Sequence, residues 1–172
     1  METRSARIES LGRLVEGNGV MLATDDAAIQ RLNDWFLASV EADPERPGFL
    51  LPAWYSVTHD VALFLGEVMI ERHPTLRWEF FVWGKTNVAY QRHVIMGFST
   101  EDPKLRTNID IDRLVATYGH QLVESRGSVA SLGKVEIRGT TIDIDAVAAS
   151  HRSTGIDSDR FVQWLSRVTE RA

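Results

Sequence analysis

The stretch from Trp54 to Trp83, WYSVTHDVALFLGEVMIERHPTLRWEFFVW, constrains the fold most, because a helical apolar pattern gives way across His73-Pro74 to an aromatic run. On a helical wheel Trp54, Val57, Val61, Phe64, Leu65 and Val68 share one face, while Leu63 and Ile70 lie nearly opposite. Two apolar faces predict a central helix covered on two sides. Between them runs an acidic stripe of Asp60, Glu67 and Glu71, brought to one edge by helical spacing. Gly66 costs about 1 kcal/mol against alanine in a helix, which predicts another backbone crossing closely there. The residue before a proline is pushed out of the α region, so the helix ends at His73 and Leu76 to Trp83 reads as a strand. Alternation puts Leu76, Trp78, Phe80 and Val82 on one face and Arg77, Glu79, Phe81 and Trp83 on the other. Gly84-Lys85-Thr86-Asn87 then turns the chain into a second strand, Val88 to Phe98, and closes an antiparallel hairpin.

The flanking segments supply more helices and a second hairpin. Ile8, Leu11, Leu14 and Val15 make Ser5 to Gly17 a short amphipathic helix ended by Gly17-Asn18-Gly19. Thr24-Asp25-Asp26 can cap the next, whose stripe Ile29, Leu32, Trp35, Phe36, Leu37 and Val40 closes at the loop Asp43 to Gly48. Further on, IDIDRLVATYGH at 109–120 is echoed by IDIDAVAASH at 142–151. Each copy reads as a short strand entering a helix, with Asp112 or Asp145 placed as the N-cap. Between the copies, Lys134 to Ile137 and Thr140 to Ile144 flank an Arg138-Gly139 turn. Asp157 can cap a last helix carrying Phe161, Trp164, Leu165 and Val168. The expected fold class is α+β, an antiparallel sheet built from hairpins and packed with five or six helices. Residues 1–172 read as a single globular domain, with a helical pair in 1–48 and an α+β core in 53–172.

The 172 residues, 44% of them hydrophobic, can bury a core without a disulfide or metal staple. No cysteine is present, which excludes disulfides, thiolate catalysis and cysteine-ligated metal sites. The opening METRSARIESLGRL lacks the apolar run of a signal peptide, and Gly66 and Glu67 interrupt the best apolar stretch, Val61 to Ile70. A soluble, cytoplasmic protein with no membrane association is therefore expected. A net charge of -5 argues against nucleic acid, which needs a clustered basic face.

Candidate chemistry is sparse. His59, Asp60, Glu67, Glu71 and His73 could hold a divalent ion or do acid–base work, but H-E-x-x-H spacing is absent and a salt-bridged stripe explains them. The pairs Asp110/Asp112 and Asp143/Asp145 fit cation binding, yet helix capping accounts for them too. Ser56 with His59 and Asp60, or Ser150 with His151, are the serine–histidine groupings, and no G-x-S-x-G elbow or phosphate-binding glycine loop occurs. No cofactor or metal is expected.

What is left is an aromatic surplus: Trp78, Phe80, Phe81, Trp83 and Tyr90 on one hairpin exceed what a single buried face needs. Interleaved with Arg77, Arg92 and His93, they have the composition of interface hot spots, and Arg77, Phe81, Trp83, Arg92 and His93 are the expected binding residues. The motifs L-F-L-G-E-x-x-I-x-x-H-P, V-I-M-G-F and I-D-I-D-R-L-V-A, within residues 20–120, resemble those of small actinobacterial domains of unknown function. In looser outline the layout is similar to immunity-type proteins that neutralise toxins. The resemblance implies structural motifs and no catalytic residues. The expectation is a non-enzymatic protein-binding domain, an immunity or accessory factor with a protein partner and scope for homo-oligomerisation. The alternative is a small metal-dependent or hydrolytic enzyme using the Asp60/Glu67/Glu71 edge.

Overall fold

The computed structural model describes residues 3–46, 48–99, 108–127, 134–137, 140–143 and 158–172. Their order is α1 (Arg4–Glu16), α2 (Asp26–Ser39), α3 (Pro52–Arg72), β1 (Arg77–Phe81), β2 (Arg92–Met96), α4 (Ile111–Gly127), β3 (Lys134–Ile137), β4 (Thr140–Asp143) and α5 (Arg160–Thr169). The class is α+β, with five helices among the described residues. The expected single sheet is instead two separate two-stranded antiparallel sheets, β1-β2 and β3-β4. Ile109, pairing with Ile95, adds one isolated bridge to the first.

Helix α3 starts at Pro52, where a missing N–H costs nothing, and ends where Pro74 forces His73 out of the helix. It buries Trp54, Val61, Phe64, Leu65 and Val68 as its periodicity requires, and also Thr58, Ala62 and Met69. One hydrophobic cluster joins it to Leu11 and Val15 of α1, Ile29, Leu32 and Phe36 of α2, Val115, Tyr118 and Leu122 of α4, and Phe161, Trp164, Leu165 and Val168 of α5. At its heart the Phe36 ring meets Trp54, Tyr118 and Phe161, with centroids 5.5 to 5.9 Å apart.

Two caps differ from expectation. Asp110, not Asp112, caps α4, its Oδ1 accepting the Arg113 N–H at 3.0 Å, because the helix begins two residues earlier than the echo suggested. At helix α5 the N-cap residue, Asp159, caps no backbone N–H with its carboxylate, which instead accepts from the Gln163 side chain at 2.7 Å. Asn33 of α2 does that work from across the core: its Oδ1 accepts the Phe161 N–H at 3.2 Å and its Nδ2 donates to the Ser158 carbonyl. The expected cap Asp157, and the helix expected after Asp145, lie outside the described residues.

The strands are shorter than expected, β1 ending at Phe81 and β2 starting at Arg92. Residues 82–91 form successive turns: Asn87 donates its N–H to the Gly84 carbonyl, and its side chain accepts from Ala89. The last turn residue, Gln91, takes a left-handed backbone with φ 59°. Burial changes faces along β1. Leu76 and Trp78 pack on the main core, but Phe80 has run past it and stands 47% exposed, while Phe81 turns into a small cluster with Ala89, Val94 and Met96.

Candidate functional site

The acidic edge of α3 is a seam between helices. Asp60 pairs with Arg7 at 2.6 Å and Glu67 with Arg4 at 3.1 Å, both arginines on α1, while Glu71 accepts from the Thr24 hydroxyl. Among the described residues no group of three or more histidines and carboxylates is placed to hold a metal ion. His73 hydrogen-bonds Thr169 rather than the stripe.

Gly66 marks a close approach, though not of a backbone. A Cβ there would lie 2.2 Å from Cζ2 of Trp78, so the indole of β1 lies flat where a side chain would stand. That indole donates its N–H to Glu67 at 3.0 Å and carries the Arg4 guanidinium over its ring, 4.8 Å from the centroid. Three elements are thus tied around one tryptophan.

Beside it opens a cleft of about 360 Å³. Its walls are Arg4 and Arg7 of α1, His59, Ala62 and Leu63 of α3, Trp78 of β1, Gln91, Arg92 and His93 at the start of β2, and Asp112 of α4. His59 Nδ1 and Asp112 Oδ1 lie 2.9 Å apart; an ionised carboxylate can only accept, so the imidazole is the donor. Arg92 holds the other Asp112 oxygen at 2.9 Å and grips Asp110 with two N–H groups. The His59 hydrogen bond, followed by the Arg92 charge, holds the Asp112 carboxyl below its ordinary range, and Asp110 raises Arg92. The result is an oriented histidine–aspartate pair braced by a fixed guanidinium.

The five expected binding residues separate here. Arg92 and His93 line the cleft. Trp83 is 36% exposed and packs edge-on against Phe81, 5.6 Å away. Arg77 is exposed and pairs with Glu79 of its own strand. Phe81 is buried to 3% and belongs to the hairpin's own small core, because the face it occupies is covered there by Val94 and Met96. Sequence reasoning missed Arg4, Arg7, Gln91 and the role of Asp112, which come from α1, the residue before β2 and α4, remote from one another in sequence; the second aspartate of IDID was the one available signal. Comparison with protein-family models, curated proteins and solved structures returned no match.

Proposed function

We propose that the chain is a non-enzymatic protein-binding domain, an accessory or immunity-type factor, whose contact surface is the outer end of the β1-β2 hairpin. One observation supports this most: Phe80, Val82, Trp83 and Val88 leave 36 to 68% of their surface in water within nine residues of chain. Clustered exposed apolar groups are the usual mark of an interaction site, whereas scattered ones are not. His93 packs against Phe80 of this patch, adding an imidazole to the aromatic mixture from which interface anchors are drawn. Beneath it Phe81, Ala89, Val94 and Met96 give the hairpin a core of its own, so the patch is presented on a supported platform. The enzyme alternative loses ground because the carboxylates of the α3 edge are engaged by α1 and by Thr24.

The test is capture of partners from the native host with wild type and with a Phe80→Ser/Val88→Ser variant, alongside light scattering for self-association. A partner held by wild type and lost by a variant that melts normally supports the reading; a wild-type dimer that the variant dissolves assigns the patch to a second copy. Retention of every partner by the variant overturns it.

A further inference from the structure

We propose that the groove between α4 and α5 takes an acidic peptide segment of the partner, its carboxylates on Arg113, Arg167 and Arg171 and one apolar side chain on the Trp164 floor. The proposal rests on the hairpin reading, because Val88 of the hairpin's apolar end also lines this groove and makes the two surfaces continuous. Two adjoining hollows, of about 470 Å³ and about 160 Å³, share Ile109, Leu114, Trp164 and Arg167 and form one channel. Helical spacing builds its walls. Arg113, Leu114, Thr117 and Gln121 lie along one side of α4, and Arg160, Trp164, Arg167 and Arg171 along one side of α5 and the turn after it.

Charge selects the occupant. Among the described residues Asp110 is the only carboxylate in the channel walls, and it is already engaged by Arg92 and by the Arg113 backbone N–H. Four arginines therefore give this lining a net positive charge in a chain whose net charge is -5. The arginines of the α1–α3 seam and of the cleft beside it are spent on carboxylates, whereas the guanidinium groups of Arg113, Arg167 and Arg171 make no ion pair or hydrogen bond among the described residues. A paired arginine must give up its partner to bind a new one. These three need not, and each can meet a carboxylate fork to fork.

Shape makes that occupant a peptide rather than a small anion. At about 1.5 Å of rise per residue, Arg160 to Arg171 spans about 16 Å. An extended chain covers that length in about five residues at roughly 3.3 Å each. Small-molecule sites enclose most of their ligand, but this channel is open along its length, with Arg113, Thr117, Gln121 and Arg167 all exposed. Between the charged rims Leu114 leaves 37% of its surface in water, and Ile109 and Trp164 continue the apolar strip on which a leucine or phenylalanine of the segment would lie.

The test is an NMR titration of the labelled protein, following the Trp164 indole N–H and the Arg113 and Arg167 Nε–H signals. The probes are a short peptide of glutamates and aspartates around one leucine, its lysine-substituted counterpart and a short oligothymidine. The expected result is saturable movement of these signals with the acidic peptide alone, its affinity falling about tenfold in Arg113→Gln/Arg167→Gln, a few-fold for each lost pair. Both arginines are exposed, so this variant should melt as wild type does, which keeps lost binding from being lost folding. Arg13→Gln/Arg46→Gln removes the same charge outside the groove and should leave the affinity unchanged. Absence of saturation with the acidic peptide, equal weakening in both double variants, or equal binding of the oligothymidine overturns the proposal. Loss of the captured partner from Phe80→Ser/Val88→Ser with full retention by Arg113→Gln/Arg167→Gln overturns the groove alone; the reverse pattern overturns the hairpin reading and leaves the groove as the docking site.

Discussion

Two groups of aromatic rings, one among the helices and one on the hairpin, have neighbours that differ more than their chemistry does. Phe36, Trp54, Tyr118, Phe161 and Trp164 come from α2, α3, α4 and α5 and meet ring to ring, each exposed by 9% or less. On the hairpin Phe80 meets His93 and Phe81 meets Trp83, all within β1, β2 and their connection, while Trp78 meets Arg4 and Glu67. The first set is dry because four helices converge on it. In the second, Phe80 and Trp83 are wet while Phe81 is covered by Ala89, Val94 and Met96, so position on the hairpin, not residue type, decides which rings are core.

The largest expected effect comes from truncating the centre of the dry cluster. Phe36→Ala should cost about 3 to 5 kcal/mol, whereas the same truncation at Phe80 should cost less than about 1 kcal/mol. Denaturant unfolding of both variants checks the contrast, and equal losses would erase the distinction between the two regions. Next is the polar bond that closes the dry cluster. Asn33 is fully buried and satisfies both the Phe161 N–H and the Ser158 carbonyl, so Asn33→Ala should cost about 1 to 3 kcal/mol by leaving a buried donor unpaired. A smaller loss, with α5 protected from hydrogen exchange as before, would show that another group caps that helix.

At the boundary between the regions, Gly66→Ala sets two effects against each other. Alanine gains about 1 kcal/mol of helix propensity, but its methyl needs the space of the Trp78 indole, and overpacking costs about 1 to 3 kcal/mol. A net loss of roughly 1 kcal/mol is expected, reversing to a gain in a Trp78→Leu background. A thermodynamic cycle over the four proteins measures this; the same sign in both backgrounds would mean the indole yields without cost.

How far the sequence reveals this molecule follows from what each feature depends on. The helix stripes at Ile29, Leu32 and Phe36, and at Phe161, Trp164 and Leu165, are local periodicities and appear in the structure as read. The Asp25 cap and the stop at His73-Pro74 are local chemistry and do the same. Gly66 signalled a close approach, but which atoms approach is a tertiary fact, and it proved to be an indole. The face switch at Phe81 escaped the alternation rule because that rule fixes which side a residue points to and not how far the covering helix extends. The cleft was illegible for the same reason: Arg4, His59, Gln91 and Asp112 carry no common motif and are joined only by packing.

The smallest expected effect concerns the wet side and its pH dependence. Asp112 has its folded pKa depressed, first by the His59 hydrogen bond and then by Arg92, against an unfolded value of about 3.9. A depressed carboxyl contributes stability that is fully present above the unfolded pKa and disappears as pH falls through the folded one. The advantage of wild type over Asp112→Asn should therefore hold from about pH 7 to 5 and shrink as the pH falls below about 4. Its size should be modest, because the Asp112 side chain is 36% exposed and water screens its partners. Denaturant unfolding of both proteins across that range reads the difference directly. A gap that stays constant down to pH 3 would mean that the carboxylate charge contributes nothing and that Asp112 acts through shape alone. The dry cluster offers the control, since Phe36→Ala removes no titrating group and its loss should not change over the same range.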